Sequence, residues 1–207
     1  ATTGEFNTSL GSLSMGTGVT TGDSNVAIGY KAAQALTSGG SNIIIGELAG
    51  ANAAATSNNI AIGYKSLFTE NNHGKNTAVG HQSLQTLRAG ADGYNVAVGF
   101  EAGLTMTTGL YNVLLGAAAG DAITTAEKNI AIGYGALGSE DTHGKNVAIG
   151  DSALTTLNAG AYGFNVAVGH EAGTAMTTGV GNTILGALAG DALTTGAHNV
   201  AIGYEAL

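Results

Sequence analysis

Three apolar residues in a row follow an asparagine and precede a glycine, and this five-residue phrase returns along the whole chain. Asn25-Val26-Ala27-Ile28-Gly29 is its clearest form. It recurs from Asn42, Asn59, Asn76, Asn95, Asn112, Asn129, Asn146, Asn165, Asn182 and Asn199, and in a weaker form from Asn7. Each phrase predicts a short strand without a polar face, and such a strand must be covered on both sides. By the period-2 geometry of a strand, Val26 and Ile28 point one way and Ala27 the other. The branched pair is expected to face the coil interior. The central residue is Ala in eight of the eleven strong units and Ile44, Leu114 or Ile184 in the others. It is expected to meet neighbouring chains.

The spacing of the asparagines fixes the architecture. From Asn25 it runs 17, 17, 17, 19 twice over and then 17, 17, so a short period is nested in a 70-residue one. Residues 70 apart match, as in His-Gly-Lys-Asn at His73 and again at His143. Fixed-period repetition of this kind marks a solenoid. Three places beyond each glycine sits a small residue (Ala32, Ala49, Ser66 and their equivalents), which suggests a tight corner. An apolar residue follows at the twelfth place of most units (Leu36, Leu87, Met106, Ile123, Leu157, Met176, Leu193), and a second short strand is expected there. Ala53, Glu70 and Glu140 stand in that place elsewhere. A helix does not fit: the density of glycine opposes it and the 3.6-residue apolar period is missing. The fold expected is all-β, a parallel β-solenoid of about 12 coils stacked at ~4.8 Å into a rod on the order of 55 Å long. The whole chain, 1–207, is read as one such domain, its stacked asparagines bonding layer to layer. One unit cannot fold without its neighbours, and a homotrimer is the expected assembly. The opening Thr2-Thr3-Gly4-Glu5-Phe6 reads like the tail of a preceding unit and the chain stops in mid-unit, so a portion of a longer fibre is expected.

Composition narrows the function. The chain has 35 Gly and no Pro, Cys or Trp, and its charged fraction is 10%. Without cysteine, neither disulfides nor a Cys-based metal site can form. Net charge is −8 and the six cations are scattered, so there is no basic stripe for nucleic acid. No apolar run approaches 18 residues, so no membrane segment is expected.

The pattern in NIAIGYKSL at Asn59 and NIAIGYGAL at Asn129 resembles the repeat shafts of bacteriophage tail fibres. It is also similar to the head repeats of trimeric autotransporter adhesins, although those are shorter. The resemblance covers the chain from Asn7 and implies a trimeric β-roll, either an extracellular virion appendage used in host attachment or a bacterial surface adhesin head that binds glycan or matrix. The partners it implies are further copies of the chain and a host-surface glycan or receptor.

No catalytic constellation stands out, no cofactor is expected, and the chain is read as a non-enzyme; a solenoid depolymerase would need paired carboxylates in a groove that breaks the repeat. Glu70 to His73, with its echo Glu140 to His143, is the nearest metal candidate, but a metal needs three or more convergent ligands whereas a solvated turn needs none, and a turn is the reading expected. Tyr30, Tyr64, Tyr134 and other rings occupy the place after the strand glycine. They could stack on sugars or simply cover the layer edge. The 19-residue units carry extra loop length at Arg88 to Tyr94 and Asn158 to Phe164, and binding in solenoids favours such loops. The candidate ligand contacts are therefore Arg88, Asp92, Tyr94, Tyr162, Tyr30, Tyr64 and Tyr134. Thr37, Thr107, Thr124, Thr177 and Thr194 also align, but interruptions such as Arg88 and Asp141 argue against an ice-binding array.

Overall fold

The computed structural model describes residues 3–16 and 19–207. Thr2, at the head of the opening segment, lies outside the described residues. Twelve three-residue strands make one parallel sheet in sequential order: β1 (Thr8–Leu10), β2 (Val26–Ile28), β3 (Ile43–Ile45), β4 (Ile60–Ile62), β5 (Thr77–Val79), β6 (Val96–Val98), β7 (Val113–Leu115), β8 (Ile130–Ile132), β9 (Val147–Ile149), β10 (Val166–Val168), β11 (Thr183–Leu185) and β12 (Val200–Ile202). Every layer sits in register on the next, with Val26 opposite Ile43 and Ile43 opposite Ile60. The expected solenoid is present.

Two details of the coil differ from expectation. Among the described residues there is no strand at the twelfth place; each coil has one strand, and the rest of its path is turns. Three corners per coil are set by left-handed backbone. They fall just before the asparagine (Ser24, φ 59°), at the sixth place after it (Lys31, φ 57°) and at the eighth (Ala33, φ 49°), and they recur through the stack. Non-glycine residues enter this region only where surroundings over-determine them. Here the layers on either side supply that constraint, since Lys31 N–H donates to the Ser12 carbonyl of the layer before and Ala33 N–H to the Ala49 carbonyl of the layer after. The strand glycines provide the fourth bend. Gly29 has φ 130°, and a Cβ on it would lie 2.7 Å from the carbonyl of Gly46.

The second difference concerns the two faces of the strand. Ala27, Ala61, Ala97 and their equivalents are fully buried inside the coil, while Val26, Ile28, Val98 and Ile130 lie on the outer face, partly exposed to solvent. The expected assignment is therefore reversed. Volume explains why. The interior is already occupied by Leu67 and Leu84, eight residues after the asparagine, and by Leu87, Met106, Ile123 and similar side chains eleven residues after it, and a thin close-packed layer leaves room opposite them only for a small residue. Where the central strand residue is large, the eighth place is glycine: Ile44 with Gly50, Leu114 with Gly120, Ile184 with Gly190. A Cβ on Gly120 would come within 2.8 Å of both Leu114 and Ile123. This exchange of volume recurs every fourth layer and gives the 70-residue period a packing cause.

The opening segment behaves as the tail of a coil. Thr3 and Gly4 donate to Thr20 as Thr21 and Gly22 donate to Thr37 in the layer above.

Candidate functional site

The buried asparagines form a continuous ladder. Oδ1 of Asn25 accepts the backbone N–H of Asn42 at 3.0 Å and its Nδ2 at 2.9 Å, and Asn42 Nδ2 also donates to the carbonyl of Thr56 at 2.8 Å. The same contacts join Asn95 to Asn112 and Asn165 to Asn182. Each amide thus satisfies backbone groups that strand pairing leaves open, at a place sealed from water. The ladder's role is cohesion between layers. The coil of Asn129 departs from it: Asn129 Nδ2 is buried with no partner.

Threonine hydroxyls work the same way at the surface. Thr37, Thr107, Thr124 and Thr177 each donate to the carbonyl of the equivalent residue one layer on. A second column reaches two carbonyls at once, with Thr86 bonded to Leu104 at 2.8 Å and Met106 at 3.0 Å. The aligned threonines are inter-layer staples.

Glu70 and Glu140 have a role that sequence reasoning missed. Both are fully buried where other coils carry an apolar side chain. Glu70 Oε1 accepts the N–H groups of Asn71, Asn72 and His73, and Oε2 accepts Ala89 N–H of the next coil at 3.0 Å. Glu140 holds His143 N–H at 3.0 Å and Ala159 N–H at 3.3 Å. Each carboxylate therefore anchors the extra loop of a 19-residue coil to the coil before it. The signal was present: a carboxylate at an apolar place, one layer ahead of each long coil. Desolvation raises the Glu140 carboxyl above its usual range, partly offset by the N–H groups of Ala159 and His143. Glu140, Asp141 and His143 place one ligand atom each within 4.8 Å of one another. Both Glu140 oxygens are already engaged by backbone donors, and the sister turn has Asn71 in place of the aspartate. The geometry fits a turn clamp.

Two exposed columns border the outward strand face. Beyond the strand glycine, Tyr64, His81 and Phe100 stack with centroids 5.1 and 5.0 Å apart. Tyr30 lies under Lys31 at 5.3 Å, and Tyr134 is exposed farther along. On the other border, just before the asparagines, Tyr94 and Tyr111 stack at 5.4 Å with planes 5° apart. Lys75 Nζ lies 5.0 Å from the Tyr94 centroid and Lys128 Nζ 5.9 Å from that of Tyr111, so cations close the stack. Lys75 also bonds Tyr94 Oη at 2.9 Å and Asp92 at 2.7 Å. Those bonds raise the Lys75 ammonium and hold the Asp92 carboxyl below its usual value. In the sister loop Lys145 sits 3.7 Å over Tyr162 and 5.2 Å from Phe164.

Of the seven candidate contacts, Asp92 and Tyr94 come together through Lys75. Tyr162 lies in the sister loop, Tyr30, Tyr64 and Tyr134 line the opposite border, and Arg88 stands exposed at a different place in the coil. They do not converge on one pocket, and several ring faces that could stack on a sugar are turned onto other rings or lysines.

The outward strand face itself is not committed to any contact described above. It presents two side chains per layer, almost all Val, Ile or Leu, without a charged residue, through all eleven strong layers. Among the described residues no helix is long and apolar enough to cross a membrane. No protein-family model, no curated protein and no solved structure matches the chain.

Proposed function

We propose that this chain is a rigid shaft segment of an extracellular fibre, of the kind that carries a phage tail-fibre tip to its host, and that it works as a homotrimer. The observation that carries this reading is the outward face of β2 to β12. At ~4.8 Å per layer and ~3.3 Å per residue, that face with its two borders is about 55 Å long and 15 Å wide, or about 800 Å² per chain. One partner of a standard stable interface buries about 800 Å². The apolar strip between the borders, about 10 Å wide, is about 500 Å², and isolated soluble chains rarely leave an apolar patch larger than a few hundred Å² uncovered.

Three such faces turned toward one axis bury one another and leave the threonine staples, turns and long loops outside. The repeat then supplies length and stiffness, since every layer is bonded to the next by backbone and asparagine and most layers also by threonine, and host recognition belongs to other parts of the appendage. A glycan-binding adhesin head draws less support, because the aromatic columns are largely self-stacked.

Small-angle X-ray scattering tests the proposal through mass per length. Three chains of 20.2 kDa in a rod of about 55 Å are expected. One chain in that length would overturn it.

A further inference from the structure

The two long loops share a scaffold and differ in chemistry. In each, a glycine folds back onto the coil before: Gly93 N–H donates to the Gly74 carbonyl at 2.9 Å, and Gly163 N–H to that of Gly144 at 3.1 Å. A Cβ on Gly93 would strike the Asn76 amide and one on Gly163 the Asn146 amide, so the two backbones follow one path. In the first loop the residue before the glycine is Asp92. Its carboxylate spans two donors, Lys75 Nζ at 2.7 Å and Gly74 N–H at 3.2 Å. Those donors form a seat for one carboxylate.

The second loop keeps the donors and lacks the carboxylate. Lys145 and Gly144 stand where Lys75 and Gly74 do, but Tyr162 replaces Asp92. Among the described residues, Lys145 Nζ has no carboxylate partner and Gly144 N–H has no acceptor. The Tyr162 hydroxyl is spent on Glu127 at 3.4 Å, and Glu127 is itself paired with Lys128. Tyr162 gives Lys145 only the face of its ring, 3.7 Å from the ammonium. An exposed ammonium gains less from a ring than from a hydrogen-bonded carboxylate, so Lys145 is free to turn to a better partner. Phe164 lies 5.2 Å from the same ammonium, edge-on to Tyr162, and both rings are exposed.

We propose that this open seat binds a carboxylate carried on a ring. The ligand carboxylate bridges Lys145 Nζ and Gly144 N–H as Asp92 bridges their counterparts, and its ring lies against Phe164, whose apolar face is suited to it. Uronic-acid sugars and aromatic acids share this chemistry. The seat is assembled within one chain, so the inference goes beyond the shaft reading and stands without it.

Ligand-observed saturation-transfer NMR on the full chain provides the test, with an isotherm for each of four small molecules. Glucuronate and benzoate are the two sources of a ring-borne carboxylate, glucose is a ring without charge, and acetate is a charge without a ring. Glucuronate or benzoate should saturate at lower concentration than glucose and acetate, and the tighter of the two identifies the source. Added salt should weaken that binding, as it screens exposed charges. Tyr162→Asp fills the seat from within and should abolish the binding, as should Lys145→Gln. Lys75→Gln removes the same charge from the seat that Asp92 already fills, and should leave the isotherm unchanged. Circular dichroism on each variant separates lost binding from lost fold.

Glucuronate and benzoate isotherms no tighter than those of glucose and acetate would overturn the proposal. So would a folded Tyr162→Asp chain that still binds, or an equal loss from Lys75→Gln and Lys145→Gln. The mass of the unaltered chain tests the shaft reading separately, so the two failures are distinguishable.

Discussion

At the scale of single residues, buried amides and carboxylates do what side-chain packing does in a thicker protein. Asn112 joins Asn95 below to Asn129 above. Asn112→Ala leaves a buried N–H and a buried oxygen without partners, each costing about 1–3 kcal/mol. A loss of about 2–4 kcal/mol is expected from the shift in urea midpoint, whereas a similar change at exposed Asn158 should fall within about 0.5 kcal/mol.

Glu140 makes a pH prediction. Its folded pKa is raised, chiefly by desolvation, so the native state binds more protons than the unfolded chain between the two pKa values. Its contribution to stability therefore falls as pH rises through that window. Asp121 is raised for the same reason, and Asp92, lowered by Lys75, acts in the opposite sense, losing its contribution in acid. The clean measurement is the difference between the pH–stability curves of the unaltered chain and Glu140→Gln. The substituted chain should lack the part of the decline that occurs on going from acid toward neutral pH. Superimposable slopes would show that Glu140 does not titrate in the fold as described.

The asparagine ladder was legible because every unit repeats it. The carboxylate clamp was not, since Glu70 and Glu140 look like ordinary turn residues until Ala89 and Ala159 are seen to reach back to them.

At the scale of the coil, alternation in the sequence divides Val26 and Ile28 from Ala27 but cannot say which side is inside. That choice depends on volume supplied from elsewhere in the coil, by Leu67, Leu84 and Met106. A clue was present in the pairing of Ile44, Leu114 and Ile184 with Gly50, Gly120 and Gly190. The expected second strand failed for a related reason: Leu36 and Ile123 are held inside by turns, and left-handed corners at the sixth and eighth places leave too little extended backbone for a ladder.

The volume exchange is open to a double-mutant test. Gly120→Ala introduces overpacking and a left-handed alanine, for which about 2–4 kcal/mol of destabilisation is expected. Leu114→Ala should cost about 2–5 kcal/mol through its cavity. Combined, the two should cost at least about 1 kcal/mol less than their sum, the coupling expected of contacting residues.

Deletions probe the same design. Removing 59–128, one full 70-residue set, lays the Ile44 layer beneath the Ala131 layer, just as Leu114 lies now, and a cooperative, stable β-rod is expected. Removing only 112–128 takes away Leu114, which packs close to Gly103, and should lower the thermal midpoint more than the longer deletion does.

At the scale of the molecule, the proposed trimer sets a net charge of −8, which would hold separate rods apart, against an outward strip without charge, which is the face the proposal gives to other copies. Neighbouring residues on β6 then have opposite duties. Ala97 is fully buried inside the coil, and Val98 faces outward. Lysine at 97 would place a charge in the dry interior and abolish folding. Lysine at 98 spares the coil and charges the face assigned to partners in the proposed trimer.

The decisive measurement is the light-scattering mass of the unaltered chain beside Val98→Lys, with circular dichroism on both. The unaltered chain should weigh three times 20.2 kDa, and Val98→Lys should fall toward the single-chain mass with its β signal kept. An unaltered chain that weighs 20.2 kDa, or a Val98→Lys chain whose assembly is undisturbed, would contradict an outward face built for other copies.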